Sequence, residues 1–154
     1  MGNPYPIIQG QPSIVFVNQA STAGTEDGTS QAPYKSIQAA VDAAQPGDTI
    51  AVGTGTYDGG ITLTKSVKLQ GKRPQYERPW RKLDTPSGSE YPGRYAIVAR
   101  EAGDIEIAGL TIEDPAAPEG ERTSGIIIEN SGSVNLHDLR LGWPERGWNP
   151  SLQQ

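Results

Sequence analysis

The chain contains no cysteine and a single histidine, His137. Disulfides, thiolate metal sites and clustered-histidine metal sites are thereby excluded, and with them most histidine-based catalytic triads. Aromatic residues are scarce at 6%, and hydrophobic residues reach only 34%, against an ordinary share of about 45–50% on a scale that also counts glycine. Apolar runs are short, Ile14-Val15-Phe16-Val17 being typical, so no transmembrane span is expected. Long stretches free of helix breakers are also missing, because 19 glycines and 13 prolines are spread over 154 residues. That excludes a helical bundle and a coiled coil. Positive charge is in short supply, with 13 Lys and Arg against 18 Asp and Glu and a net charge of −5. A whole-molecule attraction to nucleic acid or to an anionic membrane is therefore not expected.

What is present is a series of short β-branched segments separated by turn residues. Residues 1–13 are rich in Pro and Gln and read as a leader, with no signal-peptide pattern at Gly2-Asn3-Pro4-Tyr5-Pro6. One helix is expected, over residues 36–44. Ser36 is its N-cap, Ile37, Ala40, Val41 and Ala44 share one face, and Gln45-Pro46-Gly47-Asp48 stops it. Beyond it the helical period disappears. Apolar pairs follow at Ile50 and Val52, Ile61 and Leu63, Val67 and Leu69, Ile97 and Ala99, Ile105 and Ile107, Leu110 and Ile112, then Ile126 and Ile128, Val134 and Leu136, Leu139 and Leu141.

These segments repeat. Residues 95–113 lie over 124–142 at a constant offset of 29, which matches Ile97 with Ile126, Gly103 with Gly132, Ile105 with Val134, Ile107 with Leu136, Leu110 with Leu139 and Ile112 with Leu141. Val67-Lys68-Leu69-Gln70-Gly71 also fits Ile105-Glu106-Ile107-Ala108-Gly109. Alternation interrupted by a fixed corner describes a chain that runs a short strand, turns, and runs another. A repeat of this period is the mark of a solenoid, whose units bury their apolar faces only by stacking.

The segment Phe16-Val17-Asn18, Gly28-Thr29, Ala32-Pro33-Tyr34-Lys35-Ser36-Ile37, Gln45-Pro46-Gly47-Asp48-Thr49-Ile50 and Gly55-Thr56-Tyr57 resembles the N-terminal cap of the right-handed parallel β-helix superfamily, the pectate-lyase-like proteins. Ile61-Thr62-Leu63 through Gln70-Gly71 is similar to the entry into their first coil. The resemblance covers residues 14–71 and implies an all-β fold, a short right-handed parallel β-helix with an N-terminal capping α-helix. It also implies a carbohydrate ligand and an extracellular or cell-surface setting. On this reading residues 14–142 are one domain, with a cap over 14–48 and coils over 49–142 interrupted by two insertions, 72–94 and 114–123. Sixty-one residues remain for the coils, enough for about three coils of roughly 22 residues. Residues 143–154, with Trp143 and Trp148, read as a lid or tail; if they leave the last coil open, self-association through that end is the alternative.

The insertion 72–94 holds six of the 13 cations and the aromatics Tyr76, Trp80 and Tyr91, for a net charge of +3. Guanidinium groups beside flat rings suit an acidic polysaccharide, the cation gripping carboxylate and the ring covering a sugar face. The candidate binding residues are Tyr76, Trp80, Arg81, Tyr91 and Arg94, and the plainer alternative is a solvated loop. Both insertions are expected to leave one corner and wall a groove floored by Val98, Arg100, Ile127 and Glu129. Arg100 and Glu129 stack in the 29-residue register, either as a surface salt bridge or as a catalytic pair. In a lyase, Arg100 would be the base, Arg81 and Arg94 the carboxylate clamps, and Glu129 the group orienting Arg100. A hydrolase would pair Glu129 with Glu113 or Asp114. The expected function is thus a carbohydrate-associated module that binds an acidic polysaccharide. The alternatives are a small lyase or hydrolase, a structural or adhesion β-helix, and a piece of a larger enzyme. Lys68, Glu106 and Asn135 form a second outward column read as structural, His137 is expected to be a lone surface imidazole, and Asp48 a turn former. No cofactor or metal is expected; a calcium site from Asp104, Glu106 or Glu129 has no supporting ligand spacing.

Overall fold

The computed structural model describes residues 11–71, 82–84, 94–113 and 123–142. Strand β1 (Ile14–Val17) leads into helix α1 (Ile37–Ala43), then β2 (Thr49–Val52), β3 (Thr56–Asp58), β4 (Ile61–Leu63) and β5 (Lys68–Gly71). They are followed by β6 (Lys82–Asp84), β7 (Arg94–Arg100), β8 (Ile105–Ala108), β9 (Thr111–Glu113), β10 (Thr123–Glu129), β11 (Val134–His137) and β12 (Arg140–Gly142). Among the described residues the fold is all-β apart from that one short helix. Its strands lie in three sheets, ordered β1-β2-β5-β8-β11, β12-β9-β6-β3 and β10-β7-β4, called here the first, second and third. Every paired neighbour is parallel.

From β2 onward the chain visits the first, second and third sheets in strict rotation. Consecutive strands therefore never pair with each other; each pairs with the strand one circuit away, which is why the pairing is parallel throughout. Among the described residues β2 to β10 make three circuits, and β11 and β12 begin a fourth. The expected offset of 29 is realised: Ile126 pairs with Ile97, Glu129 with Arg100, Val134 with Ile105, Leu136 with Ile107 and Leu141 with Ile112. Lys68 pairs with Glu106 and Leu69 with Ile107, as the shorter match anticipated.

The corners repeat with the strands. Positive φ occurs at Glu101 and again 29 residues on at Asn130, and at Gly109 and again at Asp138. Asn and Asp tolerate this left-handed region better than other L residues. At Gly109 a side chain is also barred by space, since a Cβ there would lie 2.6 Å from the Gly71 carbonyl oxygen on the circuit below. The corner before the first sheet is laced in the same sense: the Asp104 N–H donates to Ser66 Oγ at 3.0 Å, and the Ser133 N–H to Asp104 Oδ1 at 2.9 Å.

The core runs up the inside of the stack from Ile50, Val52, Ile61 and Leu63 through Leu69, Ile97 and Ala99 to Ile105, Ile107, Leu110 and Ile112. Helix α1 closes its lower end. Ser36 Oγ accepts from the Ala39 N–H, and Ile37, Ala40 and Val41 are buried, joined to the same cluster. The exposed edge of β4 is met in a specific way. The Gln38 side-chain amide accepts from the Thr62 N–H at 2.8 Å and donates to the Thr62 carbonyl at 3.4 Å, so a side chain occupies the place of a missing neighbouring strand. Lys65 Nζ donates to the Asp42 and Ala44 carbonyls at the C-terminal end of the helix, at 3.1 and 2.7 Å.

Two expectations are corrected. Residues 72–94 are not one non-repeating insertion, because β6 lies inside them, pairing Leu83 with Tyr57 on one side and with Ile112 on the other. Nor do the two supposed insertions leave one corner. The first leaves β5, in the first sheet, whereas the second leaves β9, in the second sheet. With β6 in place, residues 85–93 and 114–122 become equivalent connections of equal length from the second sheet to the third, and the 29-residue repeat extends back to Lys82. Only 72–81 is extra. The cause is physical: parallel pairing with Tyr57 and Ile112 suffices to hold a strand whose own sequence, Lys82-Leu83-Asp84, has a single apolar residue.

Candidate functional site

The expected site residues fall into three groups. Arg100 and Glu129 come together at the C-terminal ends of β7 and β10, with Arg100 Nε 3.2 Å from Glu129 Oε2 and both side chains well exposed. Arg94 opens β7 in register with Thr123, which opens β10. Tyr76, Trp80, Arg81 and Tyr91 lie outside the described residues. Tyr76, Trp80 and Arg81 stand between β5 and β6, joining the first sheet to the second, whereas Tyr91 stands between β6 and β7, joining the second to the third. Trp143 and Trp148 also lie outside the described residues, as do residues 1–10 of the leader.

The floor expected for the groove is also corrected. Val98 is only 1% exposed, and all of Tyr95, Ala96, Ile97, Val98 and Ala99 are buried. A strand buried along its whole length is covered on both faces, so Val98 offers no open surface. Ile127, one circuit on, is half-buried. Among the described residues, the charged groups at the ends of those two strands are the Arg100–Glu129 pair, beside the exposed Ile128 of β10. The contact joins opposite charges from two successive circuits at the ends of β7 and β10.

A polar cluster on the outer face of the first sheet was not anticipated. Glu106 on β8 is 3.7 Å from Lys68 Nζ on β5, the expected column contact. It also accepts from Gln70 Nε2 at 3.2 Å and lies 3.0 Å from His137 Nε2 on β11. The other imidazole nitrogen, Nδ1, lies 3.0 Å from Asp138 Oδ2. His137 is thus a bridge between two carboxylates. The hydrogen bond to Glu106, then that to Asp138, raises its pKa above the ordinary 6.5. The same imidazole contact holds the Glu106 carboxyl below its usual value, aided by Gln70 and Lys68. The sequence signal was the alternation that put Glu106 and His137 on one face; the 29-residue offset pairs Glu106 with Asn135 and so hid the diagonal contact.

Asp48 does more than form a turn. It is buried, and its carboxylate accepts from the Ser13 and Gln45 N–H groups, each at 2.8 Å. Burial disfavours its charge, but those two hydrogen bonds and the nearby Lys65 outweigh it and hold the carboxyl below its ordinary value. The candidate calcium ligands do not converge: Asp104 serves a corner, Glu106 the first-sheet face and Glu129 the end of the third sheet. Among the described residues no three His, Asp or Glu side chains group as a cation site.

The described residues also form a cavity of about 410 Å³ over the C-terminal ends of β1, β2 and β5, with Phe16, Asn18, Ser30, Pro33, Ala51 and Gln70 in its lining. Phe16, Ala51, Gln70, Ala108 and His137 are consecutive members of one outward column.

The model of a family described as "Protein of unknown function (DUF1565)", a family of right-handed β-helix type, matches residues 20–73. That stretch runs from the loop after β1 through the helix and the first circuit. No curated protein and no solved structure matches the chain.

Proposed function

We propose that the chain is a short right-handed parallel β-helix whose third-sheet side binds an acidic polysaccharide without cleaving it. The observation that carries this reading is the pair of equal-length connections, 85–93 and 114–122, which enter the third sheet at the stacked residues Arg94 and Thr123. Strands β7 and β10 end at the exposed Arg100–Glu129 pair, and β7 both begins and ends with an arginine. A ladder of circuits separated by about 4.8 Å offers an extended anionic chain successive contacts. The stack rotation, the β-helix character of the matching family and the basic-aromatic sequence of 72–94 all support this class of ligand.

Binding is favoured over catalysis by the state of Arg100. A lyase base must take up a proton, which a guanidinium as a residue type is poorly suited to do, and the Arg100 Nε lies 3.2 Å from Glu129 Oε2. The test is affinity electrophoresis in gels containing polygalacturonate, alginate or a neutral glucan, alongside an ultraviolet assay for unsaturated product. The expected result is retardation by an acidic polymer, abolished by Arg94→Glu with Arg100→Glu, and no unsaturated product. Product formation that Arg100→Ala abolishes would establish the lyase instead.

A further inference from the structure

We infer that the cavity on the first-sheet face is a second, separate binding site, for a neutral sugar ring. It is independent of the acidic-polymer reading, since it lies on a different sheet and uses different residues. Its origin is legible in the outward column. Phe16 on β1, Ala51 on β2 and Gln70 on β5 are register partners in succession, so a methyl group lies between a phenyl ring and an amide and leaves a depression. Gly53 and Gly71 keep its margin low, and Pro33 and Ser30 of the loop before the helix close one side. At Gly53 a Cβ would lie 2.9 Å from the Val17 carbonyl oxygen, so the backbone itself forms that margin.

The volume of about 410 Å³ falls within the roughly 300–1,000 Å³ typical of small-molecule pockets. The chemistry of the lining selects the ligand. None of the described residues that line it carries a formal charge, so they offer no ion pair to a carboxylate or phosphate. Its polar side chains are two amides and a hydroxyl, groups that both donate and accept, as each hydroxyl of a sugar does. Among the described residues the Asn18 amide nitrogen, the Ser30 hydroxyl and the Gln70 amide oxygen have no hydrogen-bond partner; Asn18 Oδ1 accepts from the Ala20 N–H and Gln70 Nε2 donates to Glu106. Phe16 supplies an apolar face for the C–H side of a pyranose ring. Gln70 is fixed from the other side by Glu106, itself held by Lys68 and His137, so the amide is positioned before any ligand arrives.

The experiment is a titration of the isotopically labelled full chain with cellotriose, maltotriose, mannotriose and trigalacturonate, followed by amide chemical shifts. At least one neutral trisaccharide is expected to shift the amides of Phe16, Ala51 and Gln70. Ala51→Leu, which fills the depression from an outward strand position, should abolish this binding while leaving the melting temperature unchanged. Phe16→Ala should weaken it about tenfold, and Arg94→Glu with Arg100→Glu should leave it intact. The inference is overturned if no neutral trisaccharide shifts those amides, if Ala51→Leu binds as tightly as the parent, or if only trigalacturonate binds and the arginine reversals remove it. Should Phe16→Ala fail to fold, Ala51→Leu decides the question alone.

Discussion

One inward column, read from the helix-capped end of the stack to the other, contrasts the two ends of the molecule. Ile50, Leu69, Ile107 and Leu136 are successive register partners. The first three are wholly buried, whereas Leu136 is 42% exposed. The third sheet repeats the contrast: Ala99 is buried and its partner Ile128 is 40% exposed. Residue type does not distinguish these positions, so position in the stack does. A rung is buried by the rungs on both sides of it, and at the lower end α1 takes the place of one of them, with Ile37, Ala40 and Val41 on the core and Gln38 on the edge of β4. The difference teaches that stability here is contributed by stacking, and is concentrated toward the capped end.

The sharpest way to break the comparison is a truncation series along the column. Leu69→Ala is expected to destabilise by about 3 kcal/mol, in the range for wholly buried leucines. Leu136→Ala should cost below about 1 kcal/mol, because that residue is already partly in water. Urea midpoints of the two variants check this, and equal losses would dissolve the distinction between the ends.

Next in size is Asp48→Ala, which removes the shared acceptor of the Ser13 and Gln45 N–H groups and should cost about 2 kcal/mol. Because the carboxyl is held below its ordinary value of 3.8, its stabilising effect is full above that pH and is lost as pH falls through the lower folded value. Acid titrations of the parent and the variant should therefore differ below about pH 4. Gln38→Ala opens the edge of β4 and should cost about 1–2 kcal/mol, read by thermal melting.

The smallest effect lies at the open end. His137 is raised above 6.5, so the protonated bridge between Glu106 and Asp138 stabilises fully below that pH and its contribution is lost as pH rises through the folded value. The groups facing it are Glu106 on β8, with Lys68 and Gln70 behind it on β5, and Asp138 at the following corner. The melting temperature should fall slightly from mildly acidic to mildly alkaline pH, and His137→Gln should flatten that slope. A slope unchanged in the variant would remove the bridge from the account.

The stack's upper half was legible in the sequence because its circuits have equal length: alternating apolar residues and Gly103 and Gly132 recur at 29. The helix was legible from Ser36 and the face of Ile37, Ala40, Val41 and Ala44. Strand β6 was not, since Leu83 has charged neighbours and is held by partners distant in sequence. The outward column was legible from Gln70 through Ala108 to His137, but its lower part, Phe16 and Ala51, was hidden for a different reason. Its successive members are separated by unequal intervals, so no single offset aligns them, and the cavity over Ala51 emerges only when the strands are laid side by side. Reading 72–94 as one insertion failed for the same reason as β6, since that unseen strand divides the stretch in two.

The central claim is that the strands 29 residues apart, β6 with β9, β7 with β10, β8 with β11 and β9 with β12, stack in parallel. Nuclear Overhauser contacts between backbone protons of residues 105–108 and 134–137 in the labelled protein test it most directly. The expected pattern is sequentially advancing amide-to-α-proton contacts linking Ile105 with Val134 and Ile107 with Leu136. Close α-proton pairs running in opposite directions along the two strands, or no contacts between them, would contradict it.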